Sequence, residues 1–315
     1  MKVLFTGATG FLGQPLVEHL AVLGHTCAIV TRDIARASAM SWPRGTTFAT
    51  WDRLPVCEAA IHLAGSSPVG WWTRRRRAEI RASRVETTRR LVAHFRGDAP
   101  RVFLGASAIG WYGHRPGEIL TEDSPPDPRN RFRSQVCRAW EAAANETAAF
   151  GTRVVNLRIG NVFHPSGGYL GKVLPLFRCG FCATLGDRAQ MLSWISLADA
   201  AHLIAFALEN DTMHGPLNVT GPNPITQSDF ACGVAKACHR RVLCRLPRTL
   251  LRMVLGEFAS AILDDQHIVP RRAEALGFHF SHPAWRLFLA EHQLAEQCMP
   301  DTHFAAQENG WQHTR

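Results

Sequence analysis

Gly7, Gly10 and Gly13 recur at a spacing of three in TGATGFLG, after the apolar run KVLFT and before QPLVEHLAVLG. Glycines between a strand and a helix can cradle a pyrophosphate. The missing side chains permit a tight turn and close approach, and the helix N terminus meets the negative charge. Thr9, Phe11 and Leu12 lie in the same turn and join the glycines as expected cofactor contacts. Nineteen residues after Gly13 the next strand, TCAIVTR, ends in Thr31 and Arg32. A carboxylate here would take the ribose 2′-hydroxyl of NAD, whereas an arginine suits the 2′-phosphate of NADP. Asp33 comes one position late and reads as the N-cap of IARASAM. The expectation is an NADP(H) site, preferred over NAD(H).

Strands and helices must alternate to position such a turn. TTFATW and AAIHLAG read as strands, AEIRASRVETTRRLVAHF as a helix, and RVFLGAS as another strand. That alternation predicts an α/β fold, a Rossmann-type doubly wound parallel sheet with helices on both faces. Ligands in such sheets sit beyond the carboxyl ends of the strands. This adds Leu63, Ala64 and Gly65 to the expected cofactor contacts and marks Ala106-Ser107 as another strand end. RFRSQVCRAWE, residues 131–141, reads as the opening of an amphipathic helix, with Phe132, Val136 and Trp140 four apart. Ser196-x-x-Asp199 and Thr226-x-x-Asp229 fit helix capping boxes.

The 315 residues, 46% hydrophobic and 19% charged, suit a large α/β domain with a smaller C-terminal piece. No apolar run approaches the roughly 20 residues that span a membrane, so membrane association is not expected and the cytoplasm is the expected compartment. The net charge is +9, with lysine confined to Lys2, Lys172 and Lys236. Arg74–Arg77 are consecutive, so on a helix they point all round it and form no single groove-reading face. Nucleic acid is accordingly not an expected partner; a small-molecule substrate is, and an oligomer is compatible. The nine cysteines are scattered. Cys179 and Cys182 form a C-x-x-C without a second such pair, and no metal site is expected from them.

TGATGFLG, HLAG, SAIGWYG, LRIGNVFHPSGG, SWISLADAA and LNVTGPNPIT, in this order, resemble the NAD(P)-dependent epimerase/dehydratase group of extended short-chain dehydrogenases/reductases. LGEFASAILDDQHIVPRRAEALGFHF further resembles the short C-terminal domain of its atypical YfcH-like branch. The resemblance implies a nucleotide-binding domain over 1–230 and a small C-terminal domain over 240–292. Residues 163–194 would contribute to a substrate-type lobe, with 296–315 left as a flexible tail.

It also implies oxidoreductase or epimerase-like chemistry on a small molecule, with non-catalytic NADP binding as the alternative. Members carry a Tyr-x-x-x-Lys pair on the helix after the serine strand, but Arg133 and Cys137 occupy those positions here. Ser107 matches the family's hydrogen-bonding serine, and Tyr112 is the nearby tyrosine that could donate a proton, with Arg133 a candidate to depress its phenol. A packing role for Tyr112 stays open. The resemblance also turns Glu79 and Arg84 toward the cofactor, against the alternative of a solvent-exposed helix pair. His62 reads as a satisfied, partly buried histidine, and His164 lies in a loop able to reach substrate.

Overall fold

The computed structural model describes residues 1–292; the expected tail at 296–315 lies outside them. Seven parallel strands form the central sheet. β1 (Lys2–Thr6), β2 (Thr26–Val30), β3 (Thr47–Ala49), β4 (Ala59–His62) and β5 (Val102–Ala108) are joined by strands Arg153–Ile159 and Gly215–Val219. Their spatial order is Gly215–Val219, Arg153–Ile159, β5, β4, β1, β2, β3. The chain therefore moves outward from β1 in one direction and then returns to build β4 on its other side. The reversal places a crevice beyond the ends of β1 and β4.

Parallel strands covered on both faces read as continuous apolar runs, and β1 is buried from Val3 through Thr6. On one face α1 (Gly13–Val22) packs with α6 (Leu197–Glu209), burying Leu16, Val17 and Leu20 with Leu203 and Ile204. On the other lie α3 (Arg74–Phe95) and α4 (Phe132–Asn145), with Leu91, Phe95 and Ala144 against the sheet. The arginine run opens α3 behind the N-cap Thr73. Two of its members find partners: Arg76 pairs with Glu79, and Arg77 with Glu257.

A second core is built by α5 (Gly168–Arg178), α7 (Gln227–Ala237) and the final helix Trp285–Glu291, around Phe163, Trp194, Phe230, Trp285 and Phe288. Two strand pairings help to stitch the C-terminal piece into the fold. Cys244–Leu246 pairs with Ala183–Leu185, and His267–Ile268 pairs with Ile119–Leu120. Ser196 and Thr226 both cap helices, but the full reciprocal box closes at Thr226–Asp229 and not at Ser196. The Asp199 carboxylate is drawn instead to the amides of Ser281 and His282, at 2.7 and 2.9 Å.

Candidate cofactor and substrate site

The glycine turn sits at the crevice between β1 and β4. Gly7 has φ +81°, and a Cβ there would lie 2.6 Å from the carbonyl carbon of Leu63. A Cβ on Gly13 would lie 2.4 Å from the Ala8 carbonyl oxygen, so the turn and the start of α1 close only around glycine. No side chain caps α1 at Leu12, and the Gly13 and Gln14 amides turn back to the Gly10 carbonyl at 3.1 and 3.4 Å. A cleft of about 250 Å³ opens here, lined by Gly7, Thr9, Gly10, Thr31, Arg32, Leu63, Ala64 and Gly65. Asp33 stands apart as the N-cap of α2 (Ile34–Ser38), accepting from the Arg36 amide at 2.9 Å.

Val30 and Trp51 complete the lining. Trp51 is fixed by Arg90, whose guanidinium lies 5.6 Å from the ring and donates to the Trp51 carbonyl. Its place at the end of TTFATW was the available sequence signal, since β3 is the next strand out. Phe11, Leu12 and Gly13 belong to the same turn but do not line the cleft. Phe11 packs on Gly167 and Gly168, Leu12 on the core, and Gly13 is buried in α1.

A second cavity of about 150 Å³ lies over Ala108 and Gly110, walled by Arg84, Phe132, Arg133, Cys137 and Trp140. Arg84 stands beside Gly65 of the first cleft, where a Cβ would lie 3.3 Å from its guanidinium carbon. Arg84 donates to the Ile80 carbonyl at 3.1 Å and lies 5.2 Å from the Trp140 ring. Among the described residues no carboxylate pairs with it, and burial lowers its pKa. The buried Trp140 Nε1 has no partner among the described residues either. A larger cleft of about 540 Å³ shares Trp72, Gly110, Phe132 and Arg133 and reaches Arg252 and Glu257 of the C-terminal piece. Glu79 lies elsewhere, on the exposed face of α3 against Arg76 at 2.8 Å. The structure thus separates Glu79 from Arg84, two residues expected to face the cofactor together.

Residues 3–220 match the family model described as "NAD dependent epimerase/dehydratase family", and residues 246–291 match a domain of unknown function. The chain belongs to the NAD-dependent epimerase/dehydratase family. It is similar to the Bacillus subtilis epimerase family protein YfhF, 33% identical over 293 residues, which cover 90% of this chain and 94% of that one. It is likewise 32% identical over 294 residues to the human epimerase family protein SDR39U1, covering 90% and 96%. A crystal structure of human SDR39U1 (isoform 2) with NADPH superposes with a TM-score of 0.82 at 32% identity, covering 94% of this chain and 99% of that one. Thermus thermophilus UDP-glucose 4-epimerase in complex with NAD, at 20% identity and a TM-score of 0.73, shares the fold.

α4 is the helix on which the resemblance places the Tyr-x-x-x-Lys pair. At the position expected for the tyrosine, Arg133 Nη1 donates to Asp264 Oδ2 and to the Ser260 carbonyl, both at 3.0 Å. At the lysine position, Cys137 is buried, and burial pushes its thiol up to about 11. Cys137 therefore supplies no mobile proton near neutral pH.

Ser107 and Tyr112 do not face the cavity, contrary to expectation. Ser107 Oγ donates to Glu141 Oε1 at 2.6 Å, and Glu141 also holds the buried Arg158 through two contacts of 3.0 and 3.1 Å. Tyr112 is fully buried; its hydroxyl donates to Asn218 Oδ1 at 2.6 Å and accepts from Arg158 Nη1 at 3.0 Å. Burial pushes the phenol up to about 12 despite Arg158. Tyr112 packs inside a buried network instead of facing the cavity, and the arginine beside its phenol is Arg158 rather than Arg133.

The neighbouring histidines resolve differently. His62 is fully buried between Thr6 and Thr87. His164 is partly buried, with its Nδ1 against Ser166 Oγ at 2.7 Å. Cys179 is exposed and Cys182 buried, with no disulfide between them.

Proposed function

We propose that this protein binds NADP(H) and acts as an oxidoreductase or epimerase-like enzyme on a small molecule, without a Tyr–Lys proton relay. The observation that carries this reading is the glycine-lined cleft at the β1–β4 crevice, with Arg84 of the second cavity packed against Gly65 at its edge. Thr31 and Arg32 line the same cleft. The glycine turn suits a pyrophosphate, and Arg32 suits the 2′-phosphate. The NADPH carried by the human relative supports the same cofactor. When bound, the nicotinamide supplies or accepts hydride. Arg84 then offers a charge to an oxygen of the substrate, in a cavity where an unpaired cation is otherwise costly. The alternative, a protein that binds NADP(H) without turnover, draws on the locked Arg133 and the neutral Cys137.

Paired titrations of NADPH and NADH against wild type and Arg32→Ala test the cofactor assignment. A charge-assisted bond worth about 1.5–3 kcal/mol predicts NADPH binding at least about tenfold tighter than NADH, with near-parity in Arg32→Ala. Binding of neither cofactor would remove the reading. NADPH oxidation with a panel of aldehydes, ketones and quinones separates the enzyme from the alternative.

A further inference from the structure

His282, Glu291 and His292 come together where the final helix meets the start of α6, and each offers a ligand atom within 4.8 Å of the others. The proposed cofactor reaction uses none of them. Their second contacts fix which nitrogen each ring presents. His282 Nδ1 lies 3.1 Å from Ser196 Oγ and 3.5 Å from Asp199 Oδ2, while Nε2 faces Glu291 Oε2 at 2.5 Å. The Ser196 oxygen already accepts the Asp199 amide, so its hydroxyl can donate to His282 Nδ1, and the single ring proton then sits on Nε2 facing Glu291, the place a bound cation would take. His292 Nδ1 lies 3.0 Å from the Phe288 carbonyl, which can only accept. His292 Nδ1 therefore carries the proton, and Nε2 is left as a free lone pair. An imidazole whose other nitrogen is tied to a carboxylate or a backbone carbonyl is the usual state of a metal ligand.

We propose that His282, Glu291 and His292 form a site for a divalent transition ion of the zinc class, which pins the final helix to the N terminus of α6. Two imidazoles and one carboxylate suit that class, and hard cations such as magnesium favour all-oxygen sites. Metal–ligand bonds of about 2.1 Å in a tetrahedron put ligand atoms about 3.4 Å apart. An ion would therefore spread the His282–Glu291 pair slightly and draw His292 in. The Glu291 side chain, 65% exposed, is free to make that adjustment. His164, edge-on to His292 with ring centroids 5.4 Å apart, stands beside the cluster. Its Nδ1 accepts the Ser166 amide at 3.2 Å, so its proton sits on Nε2 and it is not a fourth ligand.

The test is zinc uptake by the full-length protein after chelator treatment and dialysis, read by competition with a chromophoric chelator. Thermal unfolding with and without zinc is followed in parallel. One zinc per chain is expected. His292→Ala and Glu291→Gln, both at accessible positions, should each weaken it at least about tenfold and abolish the zinc-dependent rise in Tm. Cys179→Ser/Cys182→Ser should leave uptake unchanged. No uptake at micromolar zinc would overturn the proposal. So would uptake that survives both His292→Ala and Glu291→Gln, or uptake that the cysteine substitutions remove.

Discussion

Burial holds the His62 imidazole at a pKa of about 4, against an ordinary value of 6.5, at the point where β1 and β4 pair through Thr6 and His62. As pH falls below 6.5 the unfolded chain takes up this proton while the native chain resists it. Stability is therefore lost on acidification through the window from 6.5 down to about 4, by roughly 3 kcal/mol in all. Between pH 7 and pH 5, wild type should lose about 2 kcal/mol more than His62→Asn in urea unfolding. Parallel pH dependences for the two proteins would show that His62 does not titrate as its burial dictates. Sequence anticipated a satisfied histidine here but not its depth, because burial at a strand end depends on α3 closing over it through Thr87.

α4 illustrates which parts of the site were legible from sequence. The glycine turn could be read from residues 2–24 because its strand, turn and helix are adjacent in sequence, and local sterics dictate the glycines. The surroundings of α4 could not, because its contacts are remote in sequence. Glu141 meets Ser107 and Arg158, 34 and 17 residues away, and Arg133 meets Asp264, 131 residues away. The sequence leaves Tyr112 open between proton donor and packing residue for a related reason: proximity to the end of β5 does not determine which way a side chain turns, and this one turned into the core. The network also predicts unequal costs. Glu141→Gln leaves Arg158 as a buried cation without its counter-charge and should cost about 3–5 kcal/mol. Ser107→Ala removes one hydrogen bond to a charged group and should cost about 1.5–3 kcal/mol. Equal losses for the two substitutions in chemical denaturation would mean that Glu141 does not neutralise Arg158 in the native state.

The family models divide the chain near residues 220 and 246, yet the hydrogen bonds ignore that division. Asp264 takes both Arg131 and Arg133 at the start of α4, and Gln266 Nε2 donates to the carbonyls of Ile109 and Gly113 at 2.8 and 2.7 Å. Asn218, on the outermost strand of the sheet, donates to the Val269 carbonyl, and Arg272 reaches Asp123 and the carbonyls of His214 and Pro216. The fully buried Trp194 packs against Trp285 of the final helix at 5.5 Å between ring centroids. Separating the pieces would expose this aromatic core and leave Asp264 without Arg131 and Arg133. The full chain should therefore unfold in urea as one cooperative unit, with tertiary signals from Trp194 and Trp285 coincident with loss of backbone structure. An early transition confined to the near-ultraviolet tryptophan signal, with the backbone signal unchanged, would show instead that the C-terminal piece detaches independently. The larger cleft would then be a surface that opens and closes rather than a fixed wall of the site.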